Sequence, residues 1–136
     1  MGSAWAGNTV NCVPFRTNAV STHGSSRYAT YYDDAGDVIV SRHDLATNLV
    51  HSQRIANERK PYDAHQAIST AFDAQGRFHL AFGAHNSSIL TTRSRSKDLS
   101  TGFKALEERH ERATYPMFLE LQNGELALLL HRGRHF

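Results

Sequence analysis

Two histidines flank a turn in the middle of this chain. Asp63-Ala64-His65 runs into an apolar stretch to Phe72, then the turn Asp73-Ala74-Gln75-Gly76. The chain returns through Arg77-Phe78-His79-Leu80-Ala81-Phe82 to Ala84-His85-Asn86. Asp-x-x-Gly between two alternating apolar runs predicts a β-hairpin. Folded about that turn, His65 lies eleven residues before Gly76 and His85 nine after it, almost opposite one another. Side chains directly across two strands sit about 5 Å apart. A second constellation has the same layout. Folding about Gln122-Asn123-Gly124 sets Tyr115 opposite His131 or Arg132. Imidazole and phenol exchange protons, and a guanidinium holds a carboxylate with two parallel bonds. His65, His85, Tyr115 and Arg132, gathered on one face, would suit chemistry on an acidic substrate.

The elements that must position these residues recur along the chain. Arg27–Tyr32, the turn Asp33–Gly36 and Val38–Asp44 form one hairpin. Ala67–Phe72, Asp73–Gly76 and Phe78–Gly83 form the second. Met117–Leu121, Gln122–Gly124 and Leu126–Leu130 form the third. The turn glycines Gly36, Gly76 and Gly124 are 40 and 48 residues apart. A period of about 40–50 residues with several strands per unit is the mark of a β-propeller. Leu49–Ile55, Ile89–Ser94 and Gly102–Leu106 supply further strand candidates. Helical patterning is nearly absent; its best candidate is the short, polar Ala105–Ala113. An antiparallel meander or sandwich is the alternative architecture.

The expected fold is therefore all-β, a partial β-propeller of about two and a half blades. Its units span residues 27–58, 64–106 and, incompletely, 114–136, after an N-terminal remnant around Asn8–Phe15. Closed propellers have about four to eight blades, so the chain reads as a fragment of a larger protein, or as one that must self-associate.

Composition narrows the classes of function. The chain has 136 residues, 40% hydrophobic and 21% charged, with net charge +2. Nothing in that balance demands a polyanionic nucleic-acid partner. The run Arg93-Ser94-Arg95-Ser96-Lys97 lacks interleaved aromatics and reads as a solvated strand end. Leu126–Leu130 is far too short to span a bilayer, and no signal peptide is visible. Cys12 is the single cysteine, which excludes an intrachain disulfide. Asn86-Ser87-Ser88 fits the N-glycosylation pattern, a short one.

Each site residue also has an ordinary structural reading. His65 can bond a strand end, Tyr115 can pack before Pro116, and Arg132 can be an exposed terminal residue. His79 lies inside its strand and reads as structural. His79 and His85 together offer imidazoles to a metal, without a clear third ligand. No cofactor is required, although a structural metal ion is compatible with the sequence.

The residues at these places resemble a known family. Trp5-Ala6-Gly7-Asn8-Thr9-Val10-Asn11, Thr22-His23-Gly24, Tyr31-Tyr32-Asp33, Asp63-Ala64-His65, His79, His85-Asn86-Ser87, Arg93-Ser94, Thr114-Tyr115-Pro116 and Arg132-Gly133 resemble the BNR-4 family of BNR (Asp-box-like) repeat proteins, which is close to the ulvan lyases. The resemblance implies a seven-bladed propeller. It also implies a secreted or periplasmic polysaccharide lyase that cleaves uronic-acid glycans by β-elimination. In such lyases two histidines of this hairpin, a tyrosine and an arginine form the site, and His65, His85, Tyr115 and Arg132 match them.

The leading expectation is thus a carbohydrate-active lyase fragment whose partner is an acidic polysaccharide, with no nucleic acid and no membrane. A non-catalytic glycan-binding propeller is the alternative. A sialidase-like hydrolase is the third reading, and it needs two flanking carboxylates. Asp63 and Asp44 are the nearby candidates.

Overall fold

The computed structural model describes residues 2–13 and 19–132. Four strands form the first sheet: β1 (Val20–His23), β2 (Ser26–Tyr32), β3 (Val38–Asp44) and β4 (Val50–Ile55). Five form the second: β5 (Ser69–Phe72), β6 (Phe78–Phe82), β7 (His85–Arg93), β8 (Glu107–Glu120) and β9 (Leu126–His131). In both sheets the spatial order follows the chain order and every pairing is antiparallel. The fold is all-β, as the repeats predict of a partial β-propeller.

Three hairpins share one turn, and its chemistry explains why. Gly36, Gly76 and Gly124 each donate N–H to the carbonyl three residues back, at 2.8–2.9 Å. Their φ angles are +82°, +72° and +77°. A type I turn closed by a left-handed residue needs that conformation, which glycine reaches without a steric penalty. In the first two turns an aspartate braces the loop. Asp33 Oδ1 accepts from the Asp37 N–H at 2.8 Å, and Asp73 Oδ1 from the Arg77 N–H at 2.9 Å. In the third turn Asn123 takes over, accepting from the Glu125 N–H at 3.1 Å.

The core is built on both faces of the second sheet. On one face Phe78, Leu80, Phe82 and Leu90 meet Tyr28, Tyr32, Val38 and Val40 of the first sheet. Phe78 is fully buried, its ring stacked 5.5 Å from Tyr28 and tilted 4.9 Å from Phe72. On the other face Ala81, Ala84, Ile89, Ala113 and Phe118 gather under Leu126, Leu128 and Leu130. A strand covered on both faces must be apolar throughout, which is why Phe78–Phe82 does not alternate cleanly.

The N-terminal segment closes the first sheet. Asn11 acts as a substitute strand partner for Tyr32: its Nδ2 donates to the Tyr32 carbonyl at 2.8 Å, and its Oδ1 accepts from the Tyr32 N–H at 2.9 Å. Pro14 and Phe15, the end of the expected remnant, lie outside the described residues, as do residues 133–136 of the third unit.

Two local expectations fail, and one strand arises that the sequence did not announce. The helix candidate Ala105–Ala113 is largely strand, the first half of β8. Gly102–Leu106 is not a strand; a 3-10 turn, Leu99–Thr101, and one isolated bridge between Ser94 and Phe103 occupy that region. Val20–His23, with too little alternation to signal a strand, becomes one by pairing with β2. In β1 and in the first half of β8 a neighbouring strand supplies the ladder bonds, and local propensity is overridden.

The third hairpin is also joined to the second sheet. β8 pairs with β7 up to Thr114; its pairing with β9 begins at Thr114, shifts register, and resumes from Met117 onward. Beyond the shift the strand folds back over β5, where the Phe118 N–H donates to Ser69 Oγ at 3.1 Å. One uninterrupted strand therefore serves two hairpins.

His79 has the structural role read for it. Its Nε2 lies 2.9 Å from Asp73 Oδ2, beside the Arg77 Nε donor at 2.6 Å. Burial opposes the Asp73 charge, but the His79, Arg77 side-chain and Arg77 backbone bonds outweigh it and hold its carboxyl well below the usual range. A depressed folded value stabilises the protein fully above the unfolded pKa of about 4, and the benefit fades as pH falls. Asp73→Asn should cost about 1–3 kcal/mol at neutral pH, the scale of bonds to a charged group. It should also flatten the loss of stability on the acid side. Thermal melts from pH 7 down to pH ~3, within that linkage window, check both effects.

Candidate functional site

The segment before β5 is shaped by its own side chains. Asp63 Oδ1 accepts from the His65 N–H at 2.7 Å, an Asx-turn. The Gln66 N–H returns to the Asp63 carbonyl at 3.2 Å, and Gln66 Oε1 accepts from the Asp63 N–H at 3.1 Å. Gln66 is buried, and its own carbonyl accepts from the Tyr32 hydroxyl at 2.7 Å. That bond ties the segment to the first sheet.

His85 opens β7 at a bulge. The ladder with β8 shifts between His85 and Ser87, and again between Ser87 and Ile89. Asn86 takes a left-handed φ of +49°, and its N–H donates to Thr114 Oγ1 at 2.9 Å. Bulges of this kind re-aim a side chain beside a site. Here the His85 ring stacks on His65, centroids 4.6 Å apart and 20° from parallel.

Asp63 joins the two rings. Its Oδ1 bonds His65 Nδ1, and its Oδ2 lies 3.1 Å from His85 Nδ1. Burial opposes the Asp63 charge, yet the His65 backbone and side-chain bonds and the field of both imidazoles leave its pKa below the ordinary carboxylate value. An ionised carboxylate only accepts, so each Nδ1 facing it carries a proton. Nε2 is then the ring atom left to exchange a proton with a substrate.

Tyr115 reaches the pair from the corner of β8. It sits between Thr114 and Pro116 with φ +52°, inside the register shift. A bulky residue in that region is strained, and such strain concentrates at functional sites. The corner sets the phenol ring 5.5 Å from His65 and 6.3 Å from His131. Pairing brings the ends of three strands together here, with His85 opposite Thr114 and Thr114 opposite His131.

The structure thus brings His65, His85 and Tyr115 into one cluster with Asp63 and His131. Arg132 follows His131 at the end of β9, with an exposed side chain. His79 is at the turn end of the same hairpin, bonded to Asp73. Asp44, a candidate for the hydrolase pair, braces the β3–β4 turn by accepting from the Ala46 and Thr47 N–H groups at 3.0 and 2.9 Å. The central place of Asp63 was not anticipated. Its signal is the Asp-x-His spacing, which an Asx-turn converts into a side-chain hydrogen bond. The residues able to hold a metal ion are Asp63, His65 and His85, whose ligand atoms lie within 4.8 Å of one another. They replace the His79–His85 pair considered from sequence. Among the described residues, no helix is long and apolar enough to cross a membrane.

The model of the BNR repeat-containing family matches residues 26–135, from β2 to the end of the site strands. The chain belongs to this family. Solved structures share the fold of this BNR repeat chain. The crystal structure of polysaccharide lyase Uly1 superposes with a TM-score of 0.74 at 15% identity, over 97% of this chain and 38% of that one. An ulvan lyase of family PL25 gives 0.71 at 16% identity, over 89% of this chain and 33% of its own. The same enzyme bound to -[GlcA(1-4)Rha3S]- superposes equally well, at 0.71. The chain therefore spans 33–38% of the length of these lyases. No curated protein matches it.

Proposed function

We propose that this BNR repeat chain carries the catalytic groups of a polysaccharide lyase that cleaves uronic-acid glycans by β-elimination. The observation that carries the reading is the Asp63 carboxylate held between the Nδ1 atoms of two stacked imidazoles, with the Tyr115 ring against them. Elimination needs three things: neutralisation of the C6 carboxylate, a base for the C5 proton, and an acid for the leaving O4. The C5–H electrons form the C4=C5 bond as the C4–O4 bond breaks, and O4 takes a proton. Nε2 of an imidazole oriented by Asp63 can accept the C5 proton. The Tyr115 hydroxyl can donate to O4, or exchange that role with His85. Arg132, at the end of β9, would pair the C6 carboxylate in bidentate fashion.

The fold of the similar solved lyases supports this reading, and the glycan in one of those structures supplies a test substrate. The full-length protein is mixed with ulvan, and the ultraviolet absorbance of the unsaturated uronate is followed. Absorbing product is the expected result. Reducing ends without that absorbance would mean hydrolysis, and binding without either product would mean a glycan-binding module.

Asp63→Asn isolates the orienting carboxylate. An amide accepts from one Nδ1 and donates toward the other, which forces that ring into the opposite tautomer. Turnover should fall by about 10²-fold, on the scale of lost proton transfer, with little change in KM. A kcat within a factor of about two of wild type, far inside that scale, would remove Asp63 from the mechanism.

A further inference from the structure

A recess lies beside the histidine pair, lined by the chain neighbours Gln66 and Ser87. It measures about 440 Å³ and is lined by Lys60, Tyr62, Gln66, Ser87 and Ser88, with Arg59 at its edge. Two of these residues also hold the site. Gln66 bonds the Asp63 backbone, and Ser87 Oγ accepts from the His85 N–H at 3.2 Å. Residues that brace the histidine pair therefore also line this cleft.

Tyr62 is the unusual residue there. It is 70% exposed, although its backbone is firmly anchored. Its N–H donates to the Lys60 carbonyl at 2.8 Å, and the neighbouring Pro61 carbonyl accepts from Asn8 Nδ2 at 2.6 Å. Gly36 packs so tightly on Lys60 and Pro61 that a Cβ there would sit 2.8 Å from both Cδ atoms. An exposed ring on fixed backbone presents a large apolar face at low conformational cost.

The charges beside it differ in how they are used. Arg59 is already committed: it donates to the Ser88 carbonyl at 2.9 Å and pairs with Glu108, which Ser88 Oγ also meets. Lys60 Nζ bonds the neutral carbonyl of Ala35. Asp37, an acid that feels its charge, is already paired with Arg54. The Lys60 ammonium can therefore turn toward an anion as a mobile point charge.

We propose that this cleft is a subsite for the sugar next to the cleaved bond. The sugar ring lies on Tyr62, its hydroxyls meet Ser87 and Ser88, and Lys60 meets its carboxylate or sulfate. The inference deepens the lyase reading, since it assigns the neighbouring sugar of the same glycan.

The test is binding of the -[GlcA(1-4)Rha3S]- oligosaccharide by calorimetry, in a His85→Ala background that slows turnover. Tyr62→Ala should weaken binding about 10-fold, in keeping with one aromatic face, whereas Tyr62→Phe should retain it. Lys60→Gln should weaken binding of the acidic oligosaccharide and flatten its salt dependence. It should leave untouched the same oligosaccharide after carboxyl reduction and desulfation. In the active protein both substitutions should raise KM more than they lower kcat. Unchanged affinity in Tyr62→Ala and Lys60→Gln, with circular dichroism showing folded protein, overturns the subsite. If the variants lose binding while the wild type releases no unsaturated product, the subsite stands and the lyase reading fails.

Discussion

His85→Ala and Tyr115→Phe should each lower turnover of a uronic-acid glycan by about 10²-fold or more, the magnitude of lost general acid–base catalysis. The two substitutions remove different things. His85→Ala deletes one of the two rings that Asp63 orients and leaves His65 without its stacking partner at 4.6 Å. Tyr115→Phe keeps the ring, its packing at 5.5 Å from His65 and its left-handed corner, and removes one hydroxyl. A large loss in the phenylalanine variant therefore reports proton transfer rather than folding. Arg132→Ala should raise KM for the acidic sugar as well as lower kcat, because its guanidinium would bind the carboxylate in the ground state too. Steady-state kinetics on the full-length protein measure all three. Full activity in every variant would leave the cluster without a catalytic role.

Phe78→Ala should be the most damaging change to the fold. The side chain is fully buried between the two sheets, against Tyr28 and Phe72. Removing a ring from such a place costs about 3–5 kcal/mol, transfer and cavity together. Collapse cannot refill the space, since Tyr28 is on one sheet and Phe72 on the other, and both are held by ladder bonds. That cost is comparable with much of the stability of a typical domain. Chemical denaturation of the wild type and the variant gives the difference. A change below about 1 kcal/mol, well under the range for a buried ring, would show that the inter-sheet core tolerates a void there.

The turns were legible because their determinants are local. Gly36, Gly76 and Gly124 must take a positive φ, and Asp33 and Asp73 brace the loop within four residues of themselves. Alternation on either side then set the three hairpins. His65 and His85 follow from that arithmetic, since a hairpin's two ends meet whatever packs around them. The remaining features depend on partners distant in the chain. Glu107–Ala113 is too polar to read as a strand, and becomes one because β7 offers a free edge. Val20–His23 joins β2 for the same reason. Nothing within a few residues of Tyr115 shows that β8 will leave β7 there and fold over β5; the bend needs Ser69 and β9 as partners. From the sequence Asp63 reads only as a candidate, with Asp44, for the carboxylate pair of a hydrolase. Its place between both imidazoles arises where a local Asx-turn in the segment before β5 meets the bulge at His85 in β7, two features that tertiary packing alone brings within hydrogen-bonding reach.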